Sequence, residues 1–183
     1  MNPVVRSEIV DYATYEDKRP SFRANILKVK ALRRVRLADN LTLLFENHDT
    51  VLYQIQEMMR AERIVRESAI VHEMETYNEL LGKEGELGCT LLIEIEDPVE
   101  RDRKLKEWWA LPEKLSVVLK DGSRIPAIFD ERQRGDDVLS SVQYLKFNTK
   151  GFVPVAVRVD LTGLTAESRL TAEQREALRT DLS

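Results

Sequence analysis

One cysteine and two histidines among 183 residues set the first limits. A lone Cys89 excludes a disulfide framework and any self-contained four-cysteine zinc or iron–sulfur site. The histidines, His48 and His72, offer little for a metal. A ferritin-like di-iron site needs Glu-x-x-His on two helices, yet Phe45 and Ala69 stand three residues before them. His72-Glu73 is followed three residues on by Thr76, so the H-E-x-x-H metallohydrolase pattern is missing too. His72, Glu75 and Glu79 share one side of a helix, but that side opposes the apolar residues and is expected to face water. The chain also lacks a P-loop, a G-x-G-x-x-G fingerprint and a G-x-S-x-G elbow. The expectation is no metal and no cofactor.

Long apolar runs are missing as well. Nothing approaches the ~20 residues that span a bilayer. The opening MNPVVRSEIVDYATYEDKRP has acids early and no secretion-signal core. With a free Cys, a cytoplasmic location is expected.

What is present is an ordinary globular balance, 43% apolar and 33% charged. The length suits one domain over 1–183, with a possible division into a mainly helical 1–84 and a mainly β 85–183. The net charge of −4 conceals segregation. Residues 18–36 carry eight bases and no acid, whereas 37–107 carry a net −9. Packed side by side, the two segments would neutralise each other. Left apart, they would form an anion-binding or partner-docking face.

The expected fold class is α+β: N-terminal helices with a small hairpin, a mostly antiparallel β region with one inserted helix, and a short C-terminal helix. A helix is expected from Pro20 to about Leu32 with Pro20 in its first turn. On it Arg19, Arg23, Lys30 and Arg34 fall within about 60° as a basic stripe. Asp39-Asn40 turns a hairpin between Val35-Leu37 and Leu41-Leu43-Phe45. Asp49 or Thr50 caps a helix to about Glu67, and another runs from Ser68 to Leu81, stopped by Gly82. Gly82, Gly85 and Gly88 are read as linker flexibility. CTLLIEIE (89–96) is a strand, and Pro98 opens a helix through Trp109. Asp121-Gly122 turns a second hairpin. A strand with Val142, Tyr144 and Phe147 as its apolar positions follows, then the strand VPVAVRVDL. Thr171 and Gln174 form a capping box for the last helix. Cys89 and the Trp108-Trp109 pair are read as core.

Candidate chemistry concentrates in Glu46, Gln54, Glu57, Arg60, Glu62 and Arg63. On a helix containing Leu52, Glu62 falls about 280° from it and Arg66 about 320°, inside the apolar arc. A carboxylate there must be paired, protonated or ligating. Glu57 and Arg60 fall on the other side, expected to be solvated. The basic set Arg19, Arg23, Lys30 and Arg34 could bind an anion or a partner. Nucleic acid is disfavoured by a pI near 5.4 and by a lack of interleaved aromatics beyond Phe22.

The segments FEN (45–47), QIQEMMRAER (54–63), YN (77–78), the E-L-x-x-T-L-x-I-E run (86–94) and YLKF (144–147) together resemble the bacterial domain-of-unknown-function family three-five-zero-one. The similarity runs from about Tyr15 to the C-terminus. It carries no established activity. It implies a redox or oxidative-stress setting, because members are encoded beside rubrerythrin-like proteins and iron–sulfur oxidoreductases. The expectation that follows is an accessory partner of such a system, with the metal held by the partner. The alternatives are an enzyme or small-anion-binding protein using helix 54–63, and nucleic-acid binding through residues 18–36.

Overall fold

The computed structural model describes all residues, 1–183, and has the expected α+β class. Helix α1 (Tyr12–Ala31) leads into the hairpin β1 (Arg34–Ala38) and β2 (Leu41–Glu46), turned at Asp39-Asn40 as expected. Helices α2 (His48–Glu62) and α3 (Glu67–Asn78) follow. Then come β3 (Glu86–Ile93), α4 (Pro98–Glu107), β4 (Leu115–Val118), β5 (Arg124–Pro126), β6 (Ile128–Phe129), β7 (Val142–Asn148), β8 (Ala156–Leu161), β9 (Leu164–Arg169) and α5 (Ala172–Leu182).

Two antiparallel sheets result, ordered β1-β2-β3-β7-β6 and β5-β4-β8-β9. One nearly continuous run, β5 and β6, belongs to both. At Ala127 it leaves the second sheet, its last bond an N–H donated to the Leu115 carbonyl at 3.0 Å, and enters the first. The sheets enclose a shared core to which β2 contributes Leu41, Leu43 and Phe45, β3 Leu87 and Leu91, β7 Leu145 and Phe147, and β8 Val157 and Val159. Trp108, at the end of α4, and Leu178 of α5 add cover.

A second, smaller core joins Val51, Ile55 and Met59 of α2 to Ile70, Leu81, Val4 and Ile9. Residues before α1 lie across it, held by two side-chain amides that imitate a neighbouring strand. Asn78 accepts from the Val4 N–H at 2.8 Å and donates to the Val4 carbonyl at 2.9 Å. Gln56, 2% exposed, does the same for Val10 at 2.8 and 3.1 Å. Buried backbone polar groups must find partners, and here two amides supply them where no ladder exists.

Several expectations are corrected by the fold. Helix α1 begins well before Pro20: its cap is Asp11, which accepts from the N–H groups of Ala13 and Thr14, and Pro20 sits inside the helix. Pro20 is on the exposed side, so the carbonyl freed by its missing N–H is open to water. Helix α2 is capped by Asn47 and ends at Glu62, where Arg63 turns left-handed at φ 52°. Glu62 and Arg66 therefore never share a helix; both are exposed, and the expected semi-buried pair does not form. Helix α3 stops at Asn78, before Gly82. In β7 the buried positions are Gln143, Leu145 and Phe147, while Val142 and Tyr144 face out. The pair Val142/Tyr144 has one parity and Phe147 the other, so the apolar positions could not all share a face. Strand β9, with alternating half-exposed residues, has no counterpart among the expected elements.

Glycines 82 and 88 are packing positions, not flexible links. β3 begins at Glu86, so Gly88 lies within it, and a Cβ there would stand 1.9 Å from the Leu80 carbonyl oxygen. At Gly82 a Cβ would stand 2.2 Å from the Glu86 carbonyl oxygen. Gly88→Ala must therefore push backbone apart where the turn after α3 meets the sheet. Its expected cost is about 3 kcal/mol, read as a lowered urea midpoint. An unchanged midpoint would contradict the close approach.

Candidate functional site

The basic segment 18–36 divides into groups with different fates. Arg19 turns inward across the α1–α2 interface. Its Nε and Nη2 donate to the two oxygens of Glu57 at 2.7 and 3.0 Å, and the Tyr15 hydroxyl donates to Glu57 Oε1 at 2.7 Å. Glu57 is half-buried, not on the solvated face expected of it. The Arg19 hydrogen bonds hold its carboxyl below the ordinary 4.5, against the opposing effect of burial. Burial and the carboxylate together push the Tyr15 phenol up. Arg60 pairs with Glu16 at the rim of the same interface.

Arg33 is consumed more deeply. Its Nε and Nη2 each donate to Asp181 of α5 at 2.8 Å, with side-chain exposures of 8% and 5%. The Asn47 amide reaches the same carboxylate at 3.5 Å. Lys30 lies half-buried with its ammonium 4.7 Å from the Tyr53 ring centroid. Burial lowers its pKa, Glu46 opposes that, and Arg34 adds to it. Tyr53 stacks on Phe22 at 6.1 Å, which meets Tyr15 edge-on at 5.8 Å.

The expected four-residue stripe is thus not one face. Arg19 and Lys30 both lie against α2, at Glu57 and Tyr53, while Arg23 is exposed and Arg34 lies in β1 beyond the helix end. The outward face of α1 has other members. Pro20, Arg23, Ala24, Leu27, Lys28 and Ala31 fall within about 140°, and all are exposed; the same arc holds the exposed acids Glu16, which is paired with Arg60, and Asp17 nearer the start of the helix. Leu27 is 54% exposed, and the 20-residue helix buries only Tyr15 and Ile26.

Glu46 is the most enclosed member of the candidate cluster. It ends β2, buried, and accepts from the Thr90 hydroxyl of β3 at 2.6 Å and from the Thr50 hydroxyl of α2. Gln54 is half-buried beside the Tyr77 hydroxyl. Glu62 and Arg63 point to solvent at the α2 end. The six candidates therefore do not converge: Glu57 and Arg60 face α1, Glu46 faces the sheet, and Glu62 and Arg63 face water. No group of three or more His, Cys, Asp or Glu side chains is placed to hold a metal ion. Cys89 is buried, and burial raises its thiol pKa well above the ordinary value. Trp108 is core, whereas the half-buried Trp109 donates to the Gly135 carbonyl at 3.0 Å and carries the Arg134 guanidinium 4.0 Å from its ring.

A further feature lies outside the candidates. A groove of about 560 Å³ separates α3 from β6 and β7, with Tyr77, Glu73 and Glu79 on the helix side and Phe129, Tyr144 and Lys146 on the strand side. The correct β7 alternation, Gln143-Leu145-Phe147 inward, would have exposed Tyr144 and pointed to it.

The chain belongs to the family described as protein of unknown function (DUF3501), matched over residues 3–182. A crystal structure at 1.90 Å of a protein of unknown function from Burkholderia pseudomallei K96243 is similar over 100% of both chains, with 25% identity and a TM-score of 0.90. No curated protein matches it.

The Arg19–Glu57–Tyr15 contact implies a pH dependence with a definite sign. Glu57 is lowered in the fold, so its stabilisation is complete above the ordinary 4.5 and is lost as pH falls through the folded value. Glu57→Gln should flatten the acid side of the stability–pH curve. An acid limb unchanged by the substitution would remove Glu57 as its source.

Proposed function

We propose that the protein is a docking partner of a redox system, engaging an acidic face of an iron–sulfur oxidoreductase or a rubrerythrin-like protein through the outward side of α1. The observation that carries this reading is the unspent surface of that helix. Its inner side is committed to α2, Lys30 included through Tyr53, yet Arg23, Lys28 and Leu27 face outward. Beyond the first turns, where Asp17 lies, the exposed charges Arg23 and Lys28 are both basic and can steer an acidic partner, and an apolar centre at Leu27 supplies contact that outlasts the encounter. The resemblance supplies the redox setting, and the metal belongs to the partner in this reading.

A tagged chain purified at low salt from its native cells should bring down a metal-containing protein. Raising the salt to ~0.5 M should release it. The double substitution Arg23→Glu, Lys28→Glu should cut recovery about tenfold, since both residues are exposed and the fold does not use them. Recovery of the chain alone at low salt counts against docking. Retention on DNA or RNA at ~50 mM salt, lost in the same double variant, would assign the face to nucleic acid instead.

A further inference from the structure

The groove between α3 and β6–β7 combines features that the α1 surface lacks. Its two long walls each carry a tyrosine, Tyr77 on the helix and Tyr144 on β7, and Tyr144 is 41% exposed. Ile128 of β6, 52% exposed, adds apolar surface beside them. Two carboxylates of the same groove, Glu73 and Glu79, have no basic side chain within 4.0 Å. Asp130, a third, is already bonded to Arg132 through both its oxygens, and Glu79 acts on that guanidinium only from farther off. Lys146 is the one cation of the lining, and it leaves the groove net negative. Half of the lining is apolar, and the volume of about 560 Å³ suits a small ligand or a long side chain.

Aromatic rings attract cations through the negative faces of their π systems, most strongly where water is displaced. Carboxylates without a partner add a charge that a cation would neutralise. We propose that this groove binds an organic cation, an alkylammonium or a guanidinium, between Tyr77 and Tyr144 with Glu73 and Glu79 as counter-charges. The cation can be a free amine or a Lys or Arg side chain of another protein. An anion is disfavoured by the same carboxylates. This site is separate from the α1 face, so either reading can fail without the other.

The test is a titration of the full chain followed by backbone amide NMR. The probes are spermidine, agmatine and short peptides containing Lys or Arg, with succinate as the anionic control. Saturable shifts at residues 73–80, 128–130 and 144–146 are expected for the cations, with none for succinate. The double variant Glu73→Gln, Glu79→Gln and the single variant Tyr144→Ala should each weaken binding by about tenfold. All three side chains are at least partly exposed, and the amide spectrum itself reports whether each variant stays folded. Tighter binding of the free amines identifies a small-molecule site, and tighter binding of the peptides identifies a partner's side chain. No groove shifts at ~10 mM of any cation, or shifts that survive the double variant unchanged, would overturn the proposal.

Discussion

Strand β2 is buried along its whole length, and the rest of the molecule is arranged around that constraint. Leu41, Leu43 and Phe45 fill the core between the sheets. The opposite parity, Thr42, Leu44 and Glu46, is equally enclosed. A carboxylate in such a position needs partners, because a buried polar group left without them costs about 1–3 kcal/mol, and a charged one more. Thr90 answers from β3 and Thr50 from the first turn of α2. That requirement brings the start of α2 onto the end of β2. Asn47, between them, caps α2 through the Thr50 N–H and reaches Asp181, which Arg33 grips from just before β1. Two hydroxyls, one amide and one ion pair thus tie α2, β1, β2, β3 and α5 together around the segment 45–50.

Charge segregation in the sequence has two physical meanings in the fold. Part of it is structural. Removing either partner of the buried Arg33–Asp181 pair would strand the other charge, typically at about 3–5 kcal/mol. The Arg19–Glu57 pair is more exposed, so solvent screens it and it is worth less. The remainder faces outward on α1, where Arg23 and Lys28 stand beside Leu27. A helix of 20 residues that buries two side chains is stabilised by little of its own surface. Its hold on the fold comes from the side facing α2, where Arg19, Phe22 and Lys30 meet Glu57 and Tyr53.

Features set by local chemistry are legible in the sequence: the Asp39-Asn40 and Asp121-Gly122 turns, the Pro98 start and the Thr171–Gln174 capping box all stand where their residues point. Features set by distant neighbours are not. Gly88 reads as flexible until the Leu80 carbonyl is seen against it. Glu62 reads as buried only if α2 continues past Arg63, and the left-handed turn there has no glycine to announce it. Glu57 reads as solvated because its partners, Tyr15 and Arg19, lie about forty residues away. The candidate segment is rich in charge, but only tertiary pairing distinguishes a structural carboxylate from an available one.

The helical layer also separates two opposite surfaces. Helix α2 packs against both α1 and α3, so Arg23 and Lys28 on the outward side of α1 and the carboxylates of α3 are held apart by it. Fields from exposed charges decay over about 8 Å at physiological salt, so the two surfaces act as independent patches more than as one long dipole. Steering by such patches raises the rate of encounter, whereas residence depends on apolar contact. Each patch contains some: Leu27 on α1, and Tyr144 with Ile128 at the groove. A partner held at α1 would leave the groove open, and a cation in the groove would leave α1 exposed. The two proposed contacts are therefore compatible with each other, with α2 and its Glu46 anchor between them.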